Sequence, residues 1–175
     1  VEAARERMKL RVQSAAGMGG HYQLSNRWKD NIVTVFNYHP GGNVDKRTNI
    51  YLIQSNDIGK TWTTVDGKII NPPLTNVTNA ALVKDFESEG KLVYLNDLNF
   101  DKNGNPAILA VVSKGFKPGP EGNPREWVIA KWENKKWNFH TVCESTHNYD
   151  MGSLYIENNH WEIVGPTEPG PQLHG

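Results

Sequence analysis

The chain has 175 residues, enough for one domain or for a piece of a larger protein. Its 19 basic and 19 acidic side chains cancel, so bulk charge favours neither nucleic acid nor an anionic membrane as partner. Sixteen Gly, ten Pro and 37% hydrophobic residues suit a loop-rich β protein, the single Cys143 excludes an intrachain disulfide, and no apolar run reaches transmembrane length.

Residues 1–20 are ambiguous. Ala3 to Arg7 suit a helical turn, whereas Met8, Leu10 and Val12 alternate like a strand, so this segment is expected to be a short helix or the last strand of a preceding blade. Gly17, Gly19 and Gly20 then lead into a first four-strand unit, residues 21–75. Its strands are expected at about His21–Trp28, Ile32–His39, Asn49–Gln54 and Thr61–Val65.

Between the third and fourth of these strands, Ser55-Asn56-Asp57-Ile58-Gly59-Lys60-Thr61-Trp62 fits S-x-D-x-G-x-T-W at every fixed position. The aspartate can accept backbone N–H bonds across a tight turn, Gly59 supplies a positive φ, and Thr61 and Trp62 begin the returning strand. Ser55, Asp57, Gly59, Thr61 and Trp62 are therefore candidate structural residues of a hairpin clasp. The segment resembles the Asp-box of sialidase-like β-propellers, and that resemblance implies an architecture more directly than a chemistry.

A second unit, residues 76–146, repeats the plan, with strands at about Leu92–Asn99, Ala107–Ser113, Trp127–Trp132 and Trp137–Val142. A third begins within residues 147–175, at Met151–Ile156 and His160–Val164. Several strands are apolar on both faces: Ile32, Phe36 and Tyr38 oppose Val33 and Val35, and residues 107–112 are apolar throughout. Such strands need neighbours on both sides, which stacked propeller blades provide. A two-layer sandwich is the structural alternative. The fold class expected is thus all-β, a partial β-propeller of four-stranded antiparallel blades. With about two and a half blades, the remaining blades are expected from a longer parent chain or from self-association.

In a propeller, the loops joining second to third strands and the crossings between blades share one rim. Sorted this way, His21, His39, Arg47, Arg125, His147, Tyr149 and Glu168 all fall on that rim. His or Tyr can move protons near neutral pH, and Arg can hold a carboxylate in a bidentate fork. His21, His39, His147 and Tyr149 are the catalytic candidates, and Arg47, Arg125 and Glu168 the substrate-binding ones. The two arginines could instead fasten their own loops by salt bridges. Two chemistries fit. In β-elimination on a uronate, an arginine offsets the carboxylate, His21 or His39 takes the adjacent proton, and Tyr149 or His147 protonates the leaving oxygen. In glycoside hydrolysis, Glu168, Asp150 and Tyr149 are the available groups. No close-spaced ligand motif joins the histidines, so neither a metal nor another cofactor is expected.

The stretches Gly19-Gly20-His21-Tyr22, Asn37-Tyr38-His39-Pro40, His147 to Tyr155 and Pro166 to Pro171 resemble the neuraminidase-repeat proteins of the fourth type, with ulvan lyases as distant propeller relatives. The resemblance spans nearly the whole chain. It implies a carbohydrate-active protein, secreted or periplasmic, with a polysaccharide or other glycan as partner. The Phe/Tyr-Arg-Ile/Leu-Pro motif of true sialidases is absent, which argues against sialic acid cleavage. A non-catalytic glycan-binding or scaffolding propeller fragment is the alternative.

Overall fold

The computed structural model describes residues 22–166. His21 and Glu168, and the expectation for residues 1–20, lie outside them. The chain divides into two compact units, Val1–Asp85 and Phe86–Gly175. The architecture is all-β, with antiparallel blades of a partial propeller.

In the first unit, β1 (Gln23–Trp28), β2 (Asn31–Tyr38) and β3 (Thr48–Ser55) form an antiparallel meander. β2 and β3 are buried along almost their whole length, Val33, Phe36, Tyr51 and Ile53 being fully enclosed. The two-sided apolar pattern of the sequence therefore reflects packing on both faces of the strand. The fourth position is filled differently from expectation. β4 is only Trp62–Thr63 and pairs with β3 at Gln54, while the other half of β3 pairs with β6 (Leu82–Lys84). A tight turn closed by Thr64 and Asp66 sends the chain back as β5 (Ile69–Ile70), giving a six-stranded sheet. Residues 76–85, expected to open the second blade, thus pack within the first unit. The sequence offered no β-pattern long enough to foresee strands of two and three residues.

The turn at residues 55–62 is a dense hydrogen-bonded clasp. Ser55 Oγ receives the Gly59 amide at 2.8 Å and donates to Asp57 Oδ1 at 2.8 Å. Asp57 Oδ1 accepts the Thr61 amide at 2.9 Å, and Oδ2 accepts the Thr61 hydroxyl at 2.7 Å. These bonds stabilise the carboxylate, the Thr61 amide most of all, and lower the Asp57 pKa from 3.8 to about 2. Gly59 has φ +78°, and the Trp62 indole, 5% exposed, lies against the space its Cβ would occupy.

In the second unit, β7 (Leu92–Phe100), β8 (Pro106–Ser113), β9 (Glu126–Glu133) and β10 (Lys136–Glu144) form a four-stranded sheet in the order β10-β9-β8-β7. Every residue of β8 is buried. A hairpin of β11 (Ser153–Glu157) and β12 (His160–Val164) stands beside β7. It is tied there by side chains at an irregularity in β7, where the register with β8 slips between Leu95 and Asp97. Asn96 Oδ1 accepts the Gly152 amide (2.8 Å), Asp97 Oδ2 accepts the Leu154 amide (2.7 Å), and Asn99 Nδ2 donates to the Leu154 carbonyl (2.7 Å). A bulge turns side chains that would otherwise face along the sheet toward a neighbouring element. Leu154, Ile156, Trp161 and Ile163 close the core over Tyr94, Leu109 and Trp127.

Candidate functional site

Each unit gathers candidate residues at the end of its sheet where the second strand hands over to the third. In the first unit, the β2–β3 register shifts by one residue between Phe36 and Tyr38, and Asn49, at φ +60°, takes up the extra residue. Asn37 sits at this slip with its side chain fully enclosed. It grips Tyr22 twice: its amide donates to the Tyr22 carbonyl at 3.1 Å, and its Oδ1 accepts the Tyr22 amide at 3.0 Å. The backbone just before β1 is thereby fixed to the end of β2.

Tyr22 in turn links two residues singled out by the sequence. Its ring centroid lies 5.0 Å from that of His39, at an interplanar angle of 49°. The Arg47 guanidinium carbon lies 4.0 Å from the same ring, a cation–π distance. Arg47 Nε also donates to the Val44 carbonyl at 3.0 Å, steadying the arginine on the loop that leads into β3. His39 is 2% exposed and Tyr22 47% exposed, so solvent reaches this cluster through the phenol rather than through the imidazole. Tyr22 was not a candidate from sequence. The available signal was its place next to His21, but an exposed aromatic at a strand start is common and carries little weight alone.

In the second unit the candidates His147 and Tyr149 come together on the crossing between β10 and β11. Asp150 Oδ2 accepts the Ser145 hydroxyl (2.7 Å) and the His147 amide (3.1 Å), which closes the turn. His147 Nδ1 accepts the Tyr149 amide at 3.1 Å, so the neutral ring carries its proton on Nε2. The Tyr149 ring packs edge-on against buried Tyr94 at 5.2 Å and lies 5.7 Å from the His147 ring. At 39% exposure it is not a core residue.

Arg125 is tied into the structure by its own guanidinium. It is 4% exposed, and its guanidinium makes four hydrogen bonds: to Asn148 Oδ1, the Gly119 carbonyl, Asn123 Oδ1 and the Lys117 carbonyl, all between 2.6 and 2.9 Å. Asn148 Nδ2 donates onward to the Gly115 carbonyl at 2.7 Å. Three of these bonds fasten the arginine's own loop, by neutral carbonyls rather than by a salt bridge, and the fourth ties that loop to the crossing between β10 and β11. A cleft of about 510 Å³ opens beside it, lined by Gly119, Asn123 and Arg125 and by Glu144, Ser145 and Thr146. Among the described residues no group of three or more His, Cys, Asp or Glu side chains is placed to hold a metal ion.

His140 and His160 are exposed on β10 and β12, away from both clusters in sequence and pairing. Trp132 and Trp137 contact each other edge to face at 5.5 Å across the β9–β10 hairpin, which makes them packing residues of that hairpin.

Among solved structures, the chain is similar to an ulvan lyase described as representing a new family of polysaccharide lyase, with a TM-score of 0.61 and 19% identity over 79% of this chain. A second such structure, an ulvan lyase bound to a glucuronic acid–rhamnose 3-sulfate segment, matches with the same TM-score and identity. The chain spans 34% of the length of those proteins, and at this identity the likeness establishes the fold. No curated protein matches it. The model of the BNR repeat-containing family matches residues 11–145, and the chain belongs to that family.

Proposed function

We propose that this chain is the part of a carbohydrate-active propeller that carries residues for β-elimination on a uronate-containing polysaccharide. The observation that carries this reading is the stack of Arg47 and His39 about the Tyr22 ring, which gathers a fixed cation and two proton-transfer groups within one small cluster. Elimination needs a cation to offset the charge that builds on the uronate carboxylate as the neighbouring carbon loses its proton. Arg47 supplies it. A histidine takes the proton, and His39 is the candidate for it among the described residues.

The hydrolase alternative finds less support. It requires two carboxyl groups, or a tyrosine with an acidic partner, and Asp150 is occupied in closing its own turn. The fold's likeness to ulvan lyases, one of them bound to a glucuronate-containing segment, adds weight to a uronate substrate. By the same reading the protein works outside the cytoplasm, where such polymers occur.

The test is incubation of the protein with glucuronate-containing and neutral polysaccharides, following the ultraviolet absorbance of an unsaturated uronate end. Product is expected from the uronate polymers alone. Arg47→Ala is expected to lower kcat/KM by about 100-fold, with Arg47→Lys recovering part, because a point charge cannot lie flat on the ring as a guanidinium does. New reducing ends without ultraviolet absorbance would identify a hydrolase instead.

A further inference from the structure

Neither the family match nor the elimination chemistry uses the cleft beside Arg125, and every residue that lines it belongs to the second unit. We infer that this cleft is a binding subsite for an uncharged sugar residue with neighbouring hydroxyl groups. It is built from residues other than those of the Tyr22–His39–Arg47 cluster, and it does not depend on the uronate reading of that cluster.

The polar lining matches a sugar hydroxyl. Asn123 Oδ1 accepts from Arg125 Nη1 at 2.6 Å. A guanidinium only donates, so the amide oxygen must face it, and Nδ2 is the donor that Asn123 has left to offer. Among the described residues neither Nδ2 nor the exposed Glu144 carboxylate has a hydrogen-bond or ion-pair partner. The Thr146 hydroxyl reaches Asp150 Oδ2 only at 3.5 Å. A sugar hydroxyl both gives and receives a hydrogen bond, and an amide N–H with a carboxylate oxygen satisfies both roles. The Pro124 ring adds an apolar surface to the same lining. At about 510 Å³ the cleft lies within the range of about 300–1,000 Å³ usual for small-molecule sites.

The walls are fixed before any ligand arrives. The Ser145 amide donates to the Arg125 carbonyl at 2.8 Å, Arg125 Nη1 holds the Gly119 carbonyl at 2.9 Å, and Ser145 Oγ donates to Asp150 at 2.7 Å. Binding therefore loses little to the ordering of loops.

Charge decides the class of sugar. The Arg125 guanidinium already gives four bonds to the protein, so it is a poor seat for an anion. Glu144 stands opposite Glu126 across the β9–β10 pair, and neither has a basic partner among the described residues. A uronate or sulfate group would add another negative charge beside them, whereas an uncharged sugar meets no such repulsion.

The test is titration of the isotope-labelled protein with cellotriose and xylotriose, and with a glucuronate and a sulfated trisaccharide for comparison, followed by amide chemical shifts. The uncharged sugars are expected to shift the Asn123 side-chain and Thr146 backbone signals saturably, and the anionic ones to bind about 10-fold more weakly or less. Glu144→Gln is expected to weaken the uncharged sugars about 10-fold and to narrow the gap to the anionic ones. Asn123→Asp keeps the oxygen that Arg125 needs and removes the donor; it is expected to weaken binding about 10-fold without lowering the unfolding midpoint. The inference is overturned if neither uncharged sugar shifts these signals, if the anionic sugars bind as tightly, or if binding survives both substitutions. Arg47→Ala is expected to bind the uncharged sugars as wild type does, and a loss of binding there would also overturn the assignment. A protein that forms no unsaturated product but binds these sugars at the cleft sinks the uronate reading alone.

Discussion

Arg125 Nε donates to Asn148 Oδ1 at 2.7 Å, joining the loop before β9 to the turn that carries His147 and Tyr149. The bond is buried, and every acceptor around the guanidinium is a neutral carbonyl. Gly122 makes room for it: a Cβ there would stand 2.5 Å from Arg125 Nη2 and 2.6 Å from the Gly115 carbonyl oxygen. The charge is thus held by backbone and amide dipoles that the loop itself supplies.

Replacing Arg125 strands those acceptors. Each buried acceptor left without a donor costs about 1–3 kcal/mol, so Arg125→Leu is expected to lose several of these increments together. Asn148→Ala, which removes one accepted and one donated bond, is expected to cost less. Urea unfolding of both variants, read as a shift in midpoint at constant slope, checks the order. A loss larger for Asn148→Ala than for Arg125→Leu would contradict the latch.

The clasp at residues 55–62 predicts a pH dependence. The folded pKa of Asp57, about 2, lies below its unfolded value of 3.8. Its stabilising effect is therefore complete above 3.8 and disappears as pH falls toward about 2. The stability gap between wild type and Asp57→Ala is expected to be constant near neutral pH and to shrink across that acid window. Unfolding midpoints measured for both proteins through the window decide it, and a gap independent of pH there would assign the loss to something other than the carboxylate.

Gly152→Ala tests the junction of the β11–β12 hairpin with the sheet. The added Cβ would lie 2.7 Å from Trp127 Cη2 and 2.8 Å from Cζ3, and Trp127 is 2% exposed. Overpacking of this kind costs about 1–3 kcal/mol. A smaller ring in the double variant Gly152→Ala, Trp127→Phe is expected to return part of the loss. Denaturant midpoints of the two singles and the double measure the coupling, and simple additivity would count against a direct clash.

Much of the architecture was legible before any coordinates. Long, two-sided apolar runs such as residues 107–112 placed β8 to within a residue, because burial on both faces leaves no room for polar alternation. The turn at residues 55–62 was legible for another reason: its hydrogen bonds join residues two to four apart, so spacing alone specifies them. β5 and β6 were not legible. They are too short to show a period, and β6 pairs with β3 across some thirty residues of chain, Ile50 facing Lys84. In the site, His39, Arg47, His147 and Tyr149 were named from loop class, but the placing of Tyr22 between His39 and Arg47 was not.

By itself the sequence determined what depends on neighbours along the chain: the strand periods, the Ser55–Asp57–Thr61 clasp, and the polar residues delivered to the strand ends. Tertiary structure decided which of those residues meet, and in what state. Arg47 and Arg125 look alike in sequence, each lying in a loop that precedes a third strand. Folding lays one guanidinium on an exposed phenol and buries the other among carbonyls. The distinction arises from contacts between segments that only packing brings together, and local spacing carries no record of them.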